Sequence, residues 1–276
     1  MLGATFLLGL VILLSLGACG SSPDETVQEP PSETTPPPTT PPPTTPPPTT
    51  PPPTTPPPTT PPPTTPPPAV VAKIMPLGDS ITASSVGLPS YRYFLWHLAV
   101  NKGYRVNFVG SLRGVLRGPP ANADFDMDHE GHGGFSADQL LPGINQWATA
   151  ASPDIVLLHI GHNDLHEGQS VTSTVEDIGS IIDKLRAVNP KIRILLAQLI
   201  ASSDPSHKGI PALNAQLPAL VAAKNSVKSP IVLVDQFTGF DPTTMTTEGV
   251  HPNAIGESRM ADRWFEKLAP MLDAFP

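Results

Sequence analysis

Asp154-Ile155-Val156-Leu157-Leu158-His159-Ile160, followed at once by Gly161-His162-Asn163-Asp164, is the stretch on which the fold turns. A nearly continuous apolar run of this length reads as a strand covered on both faces. Such strands belong to parallel sheets with helices on either side. Gly161 lets the chain turn as the strand ends. The polar side chains that follow then stand at the carboxyl edge of the sheet, where open α/β sheets bind ligands. Working outward, β-rich runs occur at residues 70–77, 105–109, 192–199 and 231–234. Helical spacing occurs at 90–102, 137–150, 173–188, 210–225 and 253–268, with Pro218 expected to kink or break its helix. Five strands separated by helices predict a five-stranded parallel sheet in a three-layer α/β/α sandwich.

The residues before 69 cannot join that core. Residues 6–16 are almost wholly apolar and end in Leu16-Gly17-Ala18-Cys19. The run is too short for a membrane span and fits the apolar part of a signal peptide. Small residues before the chain's one cysteine resemble a bacterial lipobox, with residues 1–18 as a lipoprotein signal peptide and Cys19 as the lipidated terminus. The alternative is an ordinary secretory leader. No Lys or Arg precedes the apolar run, a departure from the usual leader. Residues 19–35 are polar and acidic. Residues 36–68 are six copies of PPPTT and a final PPP. Pro fixes φ and removes backbone donors, so this array reads as a polyproline II tether. At 3.1 Å per residue it reaches about 100 Å. Residues 69–276 form one domain.

All 16 Lys and Arg lie after residue 69, while four of the 24 acids (Asp24, Glu25, Glu29 and Glu33) precede it. The domain is therefore mildly acidic and has no Lys/Arg cluster, which argues against nucleic acid as a partner. With Cys19 the only cysteine, an intrachain disulfide and a Cys-based zinc site are both excluded.

Four segments should share the carboxyl edge of the sheet. They are Gly78-Asp79-Ser80-Ile81, residues 128–136 (DHEGHGGFS), Gly161-His162-Asn163-Asp164 and Glu248-Gly249-Val250-His251-Pro252. Together they supply a hydroxyl, an imidazole, a carboxylate, a primary amide and a Gly-rich turn. That inventory suits acyl transfer. A serine needs a base to become nucleophilic, and the tetrahedral oxyanion needs preorganised donors. A metal reading is weaker, because His129-Glu130-Gly131-His132 has one residue too few for the HExxH spacing. No metal and no cofactor is called for. His159 reads as a core histidine. Trp96, Trp147 and Trp264 read as helix packing, and Asp124, Asp126 and Asp128 as a solvated stretch.

These four blocks, in this order and strand context, resemble the SGNH hydrolases, or GDSL esterases, across nearly all of residues 70–270. The resemblance implies a flavodoxin-like sandwich. Ser80 would be the nucleophile and His251 the general base. The oxyanion hole would comprise the Ser80 N–H, the Gly134 N–H and the Asn163 side chain. The family's last block usually carries Asp where this chain has Glu248, whose extra methylene displaces the carboxylate by roughly 1.5 Å. Three arrangements stay open: Glu248 as the acid, a backbone carbonyl or another acid such as Asp241 in its place, or a Ser-His dyad. Asp79 reads as a hydrogen-bonded turn residue. With Tyr91, Arg92 and His162 it makes up the candidates for substrate contact. DHEGHGGF with GHND, and SYR after GDSI, look most like carbohydrate esterase family 3, mainly acetyl esterases acting on xylan.

The expected function is thus a serine esterase removing O-acetyl groups from polysaccharide. Its membrane contact would run through lipid on Cys19, in the cell envelope on the outer or periplasmic side, or it would be secreted. One alternative is a lysophospholipase or thioesterase. Another, of a different class, is a non-catalytic, cell-anchored carbohydrate-binding protein.

Overall fold

In the computed structural model, which describes residues 70–275, the 155–159 run is a strand buried at every position. The leader, Cys19 and the Pro/Thr array lie outside the described residues. In chain order come β1 (Ala72–Gly78), α1 (Ser80–Ala83), α2 (Tyr91–Asn101) and β2 (Val106–Phe108). Next are β3 (Leu112–Arg113), β4 (Asp128–Gly131), α3 (Ala137–Leu140) and α4 (Ile144–Ala151). The chain continues with β5 (Ile155–His159), α5 (His162–His166), α6 (Val171–Val188) and β6 (Arg193–Ala197). After a 3₁₀ turn at Pro205–His207 come α7 (Ile210–Lys224), β7 (Ile231–Val234), α8 (Pro242–Met245) and α9 (Ala254–Asp273).

The five expected strands are all present, and β3 and β4 add to them. The sheet runs β3-β4-β1-β5-β6-β7. Every pairing is parallel except β3 with β4. One edge of β1 is shared: β2 pairs with Ala72–Ile74 and β4 with Leu77 and Gly78. Two strands thus occupy one position in turn, and residues 109–127 run out between them, with β3 pairing on the far side of β4. Sequence pattern misses β3 and β4 because one has two residues and the other reads Asp-His-Glu-Gly, which lacks β-formers.

The two faces of β5 explain its composition. Val156 and Leu158 enter the core beneath α4, α6 and α7, while Ile155 and Leu157 enter the core beneath α2 and α9. Each such side chain contributes about 1.5–3 kcal/mol of burial free energy. The expected 137–150 helix is two helices, because Pro142 supplies no N–H to carry the ladder through. Pro218 does not break α7. Its ring lies on the exposed side of the helix. Trp264 is fully buried against Tyr91, as core packing requires. Asp126 is not a solvated loop residue: its carboxylate accepts from the Phe108 N–H at 2.7 Å and so ties β2 to the approach to β4.

A buried carboxyl joins both helices of one layer to the start of the site. Glu257, on α9, accepts from the Tyr91 N–H at 2.6 Å and from the Ser84 hydroxyl at 3.2 Å. Burial pushes its carboxyl up to about 8, against the opposing pull of those donors and of the Arg92 charge. The folded chain thus holds a proton that the unfolded chain releases near the ordinary Glu value. Stability contributed this way is full below the unfolded value and is lost as pH rises through about 8. The urea midpoint of the domain is expected to fall as pH rises from about 5 to about 8 and then to level, and Glu257→Gln, which stays neutral, to flatten the last part of that fall, between about pH 7 and 8. Parallel declines in both proteins would assign the pH dependence to another group.

Candidate active site

The carboxyl ends of β1, β4 and β5 and the turn before α9 meet around one open cavity of about 510 Å³. Ser80 is the first residue of α1, directly after β1. Asp79 caps that helix by accepting from the Ile81 N–H at 2.9 Å. The Ser80 hydroxyl lies 2.9 Å from His251 Nε2. On the other side of the ring, His251 Nδ1 bonds to Glu248 Oε1. A carboxylate at Nδ1 fixes the Nδ1–H tautomer and leaves Nε2 free to accept the serine proton.

A tight turn absorbs the extra methylene of Glu248. Thr246 bridges Pro252, and the Thr247 N–H donates to the His251 carbonyl at 2.9 Å. Gly249 has φ +93°, and its carbonyl is held by the Ser203 N–H and the Ser202 hydroxyl. One Glu248 oxygen then accepts from both His251 Nδ1 and the His251 N–H, while the other accepts from Thr247 Oγ1. Burial alone would raise the Glu248 carboxyl, but these donors hold it below the usual range. Asp241 is spent elsewhere, accepting from the Thr243 N–H and both threonine hydroxyls at the start of α8.

Donors face the same cavity. Neither the Ser80 N–H nor the Gly134 N–H has a partner among the described residues. Gly134 needs φ +83°, a conformation a side chain would strain. Asn163, in the first turn of α5, donates one amide hydrogen to the Phe135 carbonyl at 2.9 Å. That bond orients the amide and leaves its second hydrogen available. Asp164 locks the two donor segments together: its carboxylate accepts from the Ala137 N–H, tying α5 to α3. Burial pushes Asp164 up to about 6. Sequence reading passed over this residue because its partner is a backbone N–H distant in sequence.

Three of the substrate-contact candidates do not reach the cavity. Tyr91 and Arg92 are fully buried. Arg92 donates to four backbone carbonyls: Thr82 at 2.9 Å, Ala83 at 3.0 Å, Gly114 at 2.5 Å and Met127 at 2.9 Å. Its guanidinium is consumed in holding α1 to the 109–127 excursion. Asp79 is also buried, and burial pushes its carboxyl up to about 7. The fourth candidate, His162, lines the cavity, with Nε2 3.2 Å from the Ile200 carbonyl. Burial holds that ring well below its ordinary pKa. His129 and His132 are engaged within their own loop, one accepting from the Gly131 N–H and the other paired with buried Glu130. His132 stacks on Trp147 at 4.2 Å. The cavity wall also includes Ser85, Leu116 and Arg117, which sequence reasoning missed; the glycines at 114 and 118 were the available signal of a turn there. A second groove, of about 480 Å³, lies at the opposite end of the strands around Arg193 and Lys267. It has no hydroxyl, imidazole or carboxylate in its wall and so lacks the means for acyl transfer.

Comparison with known proteins agrees with this arrangement. Residues 77–259 match the family described as GDSL-like Lipase/Acylhydrolase, a span that contains Ser80, Gly134, Asn163 and His251. A multidomain esterase of Ruminococcus flavefaciens is 30% identical over 226 residues, which is 73% of this chain but 29% of that protein. Among solved structures, a mutant acetyl esterase crystallised with an acetate ion is 30% identical, with a TM-score of 0.68 over 74% of this chain and 99% of its own. A carbohydrate esterase family 3 protein from Talaromyces cellulolyticus has the same identity and TM-score, over 74% of this chain and 100% of its own.

Proposed function

Because the chain belongs to the GDSL-like lipase/acylhydrolase family, we propose that it is a serine esterase that removes O-acetyl groups from polysaccharide through an acyl-enzyme on Ser80. The observation that carries this reading is the hydrogen-bonded series Ser80–His251–Glu248, opening on a cavity with unpaired donors. Ser80 Oγ attacks the ester carbonyl as His251 Nε2 takes its proton. The developing oxyanion is met by the Ser80 and Gly134 N–H groups and the Asn163 amide. His251 then returns the proton to the leaving sugar hydroxyl. In the second half, water replaces the sugar and the same groups release acetate.

The acetyl preference is supported by the solved structures this chain is similar to, an acetyl esterase and a carbohydrate esterase family 3 protein. The same reading places the protein at the cell envelope through lipid on Cys19. The test is chain-length selectivity. With nitrophenyl esters, kcat/KM for the acetate is expected to exceed that for the decanoate by about tenfold or more, since the eight methylenes that the decanoate adds would lie in a cavity open to water and gain little burial. A preference for the decanoate would move the protein to the lipid-directed esterases. Absence of hydrolysis of either ester would favour a binding protein.

A further inference from the structure

Arg117 is the one permanently charged side chain among the described residues that line the cavity, and its exposed guanidinium has no hydrogen bond or ion pair among the described residues. Its backbone is unusual. Arg117 adopts φ +62°, in the left-handed region that non-glycine residues avoid. Glycine would sit there unstrained, and the neighbouring Gly118 and Gly114 do have positive φ.

The turn that carries it is fixed at several points. The β3–β4 pairing continues into a Gly114 N–H bond to the Met127 carbonyl at 3.1 Å. The Leu116 N–H donates to the Ser84 carbonyl at 3.0 Å, and Val115 bridges Gly118. Arg92 holds the Gly114 carbonyl from below. Leu116 fills the space against Gly133, where a side-chain carbon would approach its methyl to 2.7 Å. The hairpin thus fixes the backbone of Arg117 beside the nucleophile loop and leaves its guanidinium exposed and unpaired at the cavity wall.

We propose that Arg117 makes the cavity selective for acyl esters on sugars that carry a carboxylate, so that the substrate is an O-acetylated, uronate-containing glycan. This rests on the esterase reading above. A guanidinium presents a planar fork that pairs a carboxylate through two parallel bonds, which neutral acetylated sugars cannot use. The other carboxylate near the imidazole, Glu248, is held by His251 and Thr247 and does not compete for it. The carboxylate of the acetylated sugar would meet Arg117 while its ester faces Ser80.

The test compares the O-acetylated methyl glycoside of glucuronic acid with the same compound as its neutral methyl ester. The wild type is expected to favour the acid in kcat/KM by about fivefold at low salt, the scale of a partly exposed ion pair. The ratio should fall toward one at about 0.5 M salt, where screening shortens to a few ångströms. Arg117→Asn, which tolerates the left-handed backbone, should bring the ratio to about one at any salt. Equal rates on the two sugars, with nitrophenyl acetate still hydrolysed, would overturn the uronate proposal and leave the esterase reading standing. So would a preference that survives in Arg117→Asn. If nitrophenyl acetate is not hydrolysed, the esterase reading falls. Equilibrium binding then decides: methyl glucuronoside must bind Ser80→Ala more tightly than methyl glucoside, or the proposal fails as well.

Discussion

Ser80→Ala is expected to lower kcat for ester hydrolysis by about 10⁴-fold or more, since removing the nucleophile of a triad leaves only what the oxyanion donors and binding can supply. The fold should hardly notice. The Ser80 hydroxyl bonds to His251 alone, and Ala suits the first turn of α1. The unfolding free energy should therefore change by no more than about 0.5 kcal/mol. A variant that also unfolds readily would show that the hydroxyl supports structure. One that turns over at near wild-type rate would place the nucleophile elsewhere. Trapped acyl-enzyme, visible as a mass increase on wild type and absent from the variant, gives an independent readout.

Glu248→Gln should produce the second largest loss, about 10²-fold in kcat. A triad acid that is deeply buried can be worth about 10⁴. Glu248 is not: its side chain is 51% exposed, and that of His251 is 35% exposed. Water screens the attraction between the carboxylate and the imidazolium that forms in the transition state, so less is lost with the charge. The glutamine carbonyl can still accept from Nδ1–H, and its amide can donate to the Thr247 hydroxyl. The tautomer is then retained while the charge is removed. Glu248→Asp should lose less charge but more geometry, because the shorter side chain cannot reach both the His251 N–H and Nδ1. A Gln variant within about threefold of wild type would remove Glu248 from the mechanism and leave a Ser-His pair.

Much of this was readable from residue order. A parallel sheet sends the carboxyl ends of its strands to one edge, so the segments after β1 and β5 had to meet once those strands were recognised, and residues 128–136 joined them from their place between β2 and the next helix. The turn before α9 joined them from its place after the last strand. Pattern could not show which side chains turn inward. Arg92 follows a helix cap and looks like a surface cation. Its burial depends on carbonyls from residues 82, 83, 114 and 127, and no local periodicity encodes that meeting. The short strands β3 and β4 escaped for a related reason. Their existence is decided by the free edge of β1, not by their own composition. Arg117 was overlooked because a charged residue between glycines reads as a solvent-facing turn. Its significance comes from which cavity that turn borders.

The excursion between β2 and β4 has its ends fastened by one side chain, since Arg92 grips the carbonyls of both Gly114 and Met127. Everything between those two points is a closed loop whose attachment does not depend on its own length. Closing such a loop costs entropy that grows only with the logarithm of its size, so doubling it adds about 0.6 kcal/mol. The loop can therefore be lengthened or shortened at residues 119–123, which none of the bonds holding Leu116, Asp126 and buried Phe125 involve, at a small entropic cost, while Ser80 and Asn163 stay where β1 and β5 put them. In this chain the length of that loop and the stability of the sheet beneath it are thermodynamically separable.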